Sequence, residues 1–266
     1  MVIPIPVKEK RFCIKLSIRA HYPLSLGLAV FDPNRPNTFY FKRKVSFKPE
    51  SFTDGAAIRH LSIPMPISSK HLNLALFEKG NEKDMGFDLI DFQLEKLEKK
   101  DVWASSERHR FMDFAIRFAQ KAGYLPPNYY PSPKQEFLIH YQPSIRDVFG
   151  KQLVTPARIH RQMPYIQVSR SQFQQFSIPV RIAILAHEGC HYFNNTRSEK
   201  EADLCGLRYY LDVGFPSIEA VYAITKVFRF FDVPLEQQHL QRAKDIIDFI
   251  SHYQQQPSLI TSMQTK

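Results

Sequence analysis

The sequence predicts an α+β fold. It divides into an N-terminal antiparallel β-sandwich over residues 1–98, a compact domain of helices and short strands over residues 102–253, and a flexible tail over 254–266. Apolar residues recur with period two through the first hundred residues and with helical period after residue 105. Between these regimes lies a charged run, and late in the chain stands one helix-like stretch that is apolar on every side but carries two histidines and a glutamate.

In the first part, Phe12, Ile14, Leu16 and Ile18 alternate with Cys13, Lys15, Ser17 and Arg19. Leu24, Leu26, Leu28 and Val30 repeat the period, as do Leu72, Leu74 and Leu76. Turn signals at Asp32-Pro33-Asn34, Thr53-Asp54-Gly55 and Lys79-Gly80-Asn81 punctuate the runs. Strands at this spacing, with no helical pattern between them, suit a sandwich that serves for docking or scaffolding. The segment from His71 to Leu97 loosely resembles the late strands of a C2-type sandwich, a class whose Asp-rich loops can bind calcium; Asp84, Asp88 and Asp91 are too few and too strand-like to adopt that role here.

The run LEKLEKKD, from Leu94 to Asp101, marks the domain boundary. Ser105 and Ser106 then open a helix with Phe111, Phe114, Phe118 and Ala122 on one face, ended by Gly123 and Pro126-Pro127. Phe137, Leu138 and Ile139 predict a strand, and so do Tyr165 to Val168. After Pro216, Ala220, Val221, Ile224, Val227, Phe228 and Phe231 mark one helix, and Leu235, Leu240, Ile246, Ile247 and Ile250 another.

The chemistry concentrates between Arg181 and Pro216. His187 and His191 are four residues apart, which on a helix stacks the imidazoles one turn apart on a single face, within reach of one metal ion. Ser177 is placed to cap this helix, and Pro179 lies in its first turn. Glu188 is then held beside the metal as a general base for zinc-assisted hydrolysis. Such a site needs a third ligand and an open position. Ser198 opens a second helix as the capping box SEKE, which occupies Glu201. Glu199, Ala202, Asp203 and Gly206 share one face of it, so Glu199 is the candidate third ligand and Asp203 the candidate partner for a ligating histidine's second nitrogen. A tight reversal at Asn194 and Asn195 would instead favour Asp203 as the ligand.

On these residues the chain resembles the gluzincin metallopeptidases, which include the CAAX-prenyl endopeptidases, the heat-shock membrane protease and the periplasmic peptidase of outer-membrane assembly. In that family HExxH is followed by an ExEAD segment, a glycine three residues after the Asp, and a later glycine, aromatic and proline. Here those positions are EKEAD from Glu199 to Asp203, then Gly206, then Gly214, Phe215 and Pro216. The resemblance covers about forty residues. It implies a zincin-like domain holding Zn2+ through His187, His191 and Glu199, with Glu188 as general base and Asp203 behind a ligand. It also implies that a strand at the sheet edge pairs with extended substrate, and Tyr165 to Val168 is the strand expected there. Two features depart from the family: the spacer between His191 and Glu199 is much shorter, and its membrane helices are missing, so the chain reads as a short soluble relative.

Composition narrows the alternatives. A net charge of +10 is spread as about +6 over the first hundred residues and about +4 afterwards, without a polybasic block. Lys42, Arg43, Lys44 and Lys48 interleave with Phe39, Tyr40, Phe41 and Phe47, an alternation that describes a half-buried strand rather than a stacking surface for nucleic acid. No eighteen-residue apolar run offers a membrane span, and MVIPIPVKEKR does not read as a secretory signal. With Cys13, Cys190 and Cys205 odd in number and scattered, the expectation is buried thiols in a reducing, cytoplasmic setting. The expected function is zinc-dependent hydrolysis of a peptide or protein substrate, with a possible protein partner at the β-domain. The alternative is a structural or adaptor protein whose zinc site only stabilises the fold.

Overall fold

The computed structural model describes residues 1–8, 10–35, 37–53, 55–78, 86–98, 105–160, 162–227 and 236–255. Among the described residues of the N-terminal part there are seven strands: β1 (Val2–Ile5), β2 (Phe12–Ala20), β3 (Leu24–Phe31), β4 (Phe39–Phe47), β5 (Ala57–Met65), β6 (Leu72–Glu78) and β7 (Phe87–Lys96). They make two antiparallel sheets, ordered β1-β6-β3-β4 and β5-β2-β7. The alternating apolar positions are buried together: Ile14, Leu16 and Ile18 of β2 join the same core as Leu26, Leu28 and Val30 of β3 and Leu74 and Leu76 of β6, while Cys13 and Ser17 on the other face of β2 are buried as well. In β4, Tyr40, Phe41 and Phe47 are buried while Lys42 and Lys44 are exposed, so its aromatics pack the core. The turn at Lys79, and Asp54, Asp84, residues 99–104, Phe228, Phe231, Leu235 and the tail from 256, lie outside the described residues.

The second part begins with α1 (Ser106–Lys121), capped by Ser105, whose hydroxyl accepts the Arg108 N–H. A second sheet system follows, from β8 (Asn128–Pro131), β9 (Leu138–Gln142), β10 (Ala157–His160) and β11 (Tyr165–Ser169), in the order β10-β11-β9-β8. β9 and β11 are parallel and the other pairs antiparallel. The expected substrate edge is therefore corrected: Tyr165 to Val168 lie inside the sheet, and the edge next to the histidine helix is β10. Four residues with only Ile159 between polar or small neighbours gave β10 no periodicity to read.

Among the described residues five α-helices follow, α2 (Arg170–Phe173), α3 (Ile178–Phe193), α4 (Glu199–Val213), α5 (Ser217–Tyr222) and α6 (Glu236–Gln255), and the helix expected from Ala220 onward continues past α5 as a π-helical turn over Ala223–Val227. Every residue of α3 from Ile178 to His191 is buried. Ser177 stands at its N-cap position but does not cap it; its hydroxyl donates instead to Glu219 Oε2 of α5, 2.5 Å away. Two glycines allow α3 its neighbours. A Cβ on Gly189 would fall 2.3 Å from the Phe111 ring of α1, and a Cβ on Gly206 of α4 would fall 2.8 Å from the His187 backbone nitrogen.

Buried charges fasten the β-sheets to the helices. Arg181, fully buried, donates to the carbonyls of Phe173, Ala119, Gln174 and Asn37, the last in the β3–β4 turn. Burial lowers its pKa to about 10, which still leaves it charged at neutral pH. Arg43 of β4 pairs with Glu219 at 3.0 Å and lies over the Tyr222 ring. The expected apolar face of α6 is shifted: Leu240 and Ile247 are exposed, and the helix packs through Arg242, Ile246, Phe249, Ile250 and Tyr253. Polar contacts to α4 set that rotation.

The cysteines also depart from expectation. Cys190 of α3 and Cys205 of α4 form a disulfide, and only Cys13 is a free, buried thiol. Denatured, unreduced protein should accordingly titrate one thiol per chain, and reduced protein three. C190S/C205S should lose about 3 kcal/mol in urea unfolding, the constraint expected for a loop of this length; three thiols without reduction would contradict the pairing.

Candidate metal centre

The site lies where α3 and α4 cross. The chain reverses between them through Asn194 and Asn195, the latter with φ 47°. The Ser198 hydroxyl caps α4 by accepting the Glu201 N–H. The reciprocal half of the capping box is replaced: Thr196 Oγ1 accepts the Ser198 N–H and donates to Glu201 Oε2 at 2.5 Å. Glu201 is thereby held at the helix entry.

His187 Nε2 and His191 Nε2 stand 3.1 Å apart, with Glu199 Oε2 3.3 Å from the first and Glu199 Oε1 3.5 Å from the second. The three ligand atoms all lie within 4.8 Å of one another, close enough to hold one metal ion. Behind them, His187 Nδ1 is 2.9 Å from Asp203 Oδ1, and His191 Nδ1 donates to the Thr196 carbonyl at 2.9 Å. These acceptors hold each ring's proton on Nδ1 and turn the Nε2 lone pair toward its neighbour. Lone pairs facing each other at this distance repel unless a proton or a cation lies between them. Two imidazoles and a carboxylate, anchored in this way, are a donor set suited to zinc.

Without a metal, protons take that place. Burial opposes a charge on His187, but hydrogen bonds to Asp203 and Glu199 outweigh it and lift its pKa to about 10. The same contest raises His191, where the Glu199 bond prevails over burial. Burial would raise Glu199 too, yet bonds from both histidines hold it well below the usual carboxylate range. His187, Glu188, His191 and Asp203 are buried, whereas the Glu199 side chain is 47% exposed, so the cluster opens to solvent past Glu199.

Glu188 does not join the ligand atoms. Its Oε2 accepts the Ile159 N–H of β10 at 2.9 Å, and burial pushes its pKa up. That bond fixes the carboxylate between the histidine helix and the sheet edge.

The sequence reading missed Arg242. From α6 its Nε and Nη2 donate to both oxygens of Asp203, at 2.8 and 3.0 Å, and Nη2 lies 3.5 Å from Glu199 Oε2. Glu199 and Asp203, one turn apart, repel each other, and this cation compensates them. The available signal was its place four residues before Ile246, a cation on the buried face of a helix. The Thr196 carbonyl and Ile159 N–H carry no sequence signal at all.

Compared with protein-family models, curated proteins and solved structures, the chain matches none.

By calorimetric zinc titration, E199A should lose most of its affinity, D203A should bind about 10–100-fold more weakly, and E201A should keep the metal while losing about 1 kcal/mol of stability. Full affinity in E199A would remove it as a ligand. In metal-free protein, His187 contributes stability that is fully present below its ordinary value of 6.5 and lost as pH rises through about 10. A cation must displace that proton, so zinc affinity should rise with pH across this window; a pH-independent affinity there would show that His187 is unprotonated in the free protein.

Proposed function

We propose that this chain is a zinc-dependent peptidase in which His187, His191 and Glu199 hold the metal, Glu188 is the general base, and Asp203 orients His187. The supporting observation is the convergence of two Nδ1-anchored imidazoles with a half-exposed carboxylate, beside a buried glutamate that is not one of the ligand atoms. Structural zinc sites are normally closed by four protein ligands. Three ligands with a solvent-facing side favour catalysis over the structural or adaptor role.

Zinc, when bound, supplies the Lewis acid that makes water nucleophilic near neutral pH. The protein supplies the rest. Glu188, with its pKa raised by burial, is a stronger base than an exposed carboxylate, and the Ile159 N–H engages only one of its oxygens. It takes a proton from the attacking water and passes it to the amine as the peptide bond breaks. Ile159 turns its N–H away from β11, so β10 is the strand beside which an extended substrate lies, in place of the strand expected from the sequence. The Cys190–Cys205 bond suits an oxidising compartment better than the cytoplasm, and we infer no cytoplasmic location.

E188Q decides between enzyme and scaffold. It should retain zinc while hydrolysis of a peptide library falls on the order of a hundredfold or more. Zinc-loaded wild type with no hydrolysis, or an E188Q variant as active as wild type, would favour the structural role.

A further inference from the structure

The connection from β9 to β10 presents an apolar point to solvent. Val148 and Phe149 are each 92% exposed, more than any other large hydrophobic residue among those described, and Val154 of the same connection is 58% exposed. The exposure is built into an ordered turn. Ile145 is fully buried at its base, and the Leu153 N–H donates to the Ile145 carbonyl. Arg146 and Gln152 form a bridge, and the Asp147 N–H donates to the Lys151 carbonyl. Across the tip, Asp147 Oδ1 accepts the N–H groups of Phe149 and Lys151, both at 2.9 Å, and Gly150 takes the left-handed φ of 80° that the reversal needs. Arg146 Nη1 donates to the Gly150 carbonyl, and Arg158 of β10 ties the turn to the sheet through the Arg146 carbonyl.

These bonds aim two apolar side chains outward and turn the turn's one carboxylate inward against backbone N–H groups. At the flanks Arg146, Lys151 and the uncharged Gln152 are exposed, so the charged side chains left facing solvent are both cations. An apolar point with a cationic collar matches one environment in particular. The headgroup region of an anionic membrane offers phosphate and carboxylate charges above an acyl boundary that yields to a small wedge. A protein face would need a preformed groove for two adjacent projecting side chains. No helix of the described residues is long and apolar enough to cross a membrane.

We propose that the 145–153 turn docks the protein on anionic lipid surfaces, with Val148 and Phe149 entering the interface and Arg146 and Lys151 pairing with headgroups. The proposal does not rest on the metal or on hydrolysis, and its test reads neither. Full-length protein is sedimented with phosphatidylcholine vesicles, with and without roughly 30 mol% phosphatidylserine. The protein should bind the anionic vesicles and release as salt is raised. V148S/F149S, which changes only solvent-facing side chains and should unfold at the wild-type temperature, should lower binding about tenfold or more, and R146Q/K151Q should lower it as well. Undiminished binding by V148S/F149S overturns the proposal, as does absence of binding to either vesicle. Self-association of the wild type that V148S/F149S abolishes, without vesicle binding, would overturn it in favour of contact with a second copy of this chain.

Discussion

The close approach of α4 to α3 is the constraint on which the candidate centre depends. Gly206 meets the backbone of α3 at His187, a position where a single added methyl would collide with peptide atoms. Because the backbones can approach this closely, the short acidic end of α4 reaches the imidazoles. Asp203 touches His187 from behind while Glu199, a turn earlier and one methylene longer, reaches the Nε2 side of both rings. The Cys190–Cys205 bond fastens the same pair of helices one turn along. A site made of side chains on two helices is only as well defined as the spacing between those helices.

Around that crossing the protein commits several buried charges, each with its own reason for remaining charged or polar. Arg181 fills its donors with four carbonyls from three segments, and so fixes where α3 begins relative to α1 and the β3–β4 turn. Glu219 sits fully buried between Arg43 and Ser177, and burial raises its pKa to about 7. Arg242 serves the same purpose at the other end, where it binds the carboxylate that holds His187. Removing one partner from such a pair leaves an uncompensated charge in the core, which is why these residues constrain geometry more strongly than their number suggests.

Much of this was legible in the sequence because it is local. The period-two runs became β2, β3 and β6, since alternation of side chains is a property of any extended strand. Ser105 and Ser198 both cap their helices, because a cap involves only the first turn. His187 and His191 face the same way because a helix alone dictates it. Where the reading failed, a longer-range contact competed. Ser177 gave its hydroxyl to Glu219, forty-two residues away, instead of to its own helix. At Ser198 the competitor was local instead, for Thr196, two residues before it, took the reciprocal half of the capping box. Leu240 and Ile247 were left in solvent because Arg242 and Tyr253, bound to Asp203 and Asp212, set the rotation of α6.

By itself, then, the sequence determined the fold class, the strand-then-helix order, and a pair of histidines with a neighbouring glutamate on one buried helix. These follow from backbone periodicity and the steric rules of a single turn. The tertiary structure decided which acid faces the imidazoles, which strand forms the edge beside Glu188, which cysteines pair, and which cation steadies the carboxylates. Each of those depends on distances between separate elements, which no single turn or strand dictates, and at the α3–α4 crossing the close approach is one that Gly206 permits.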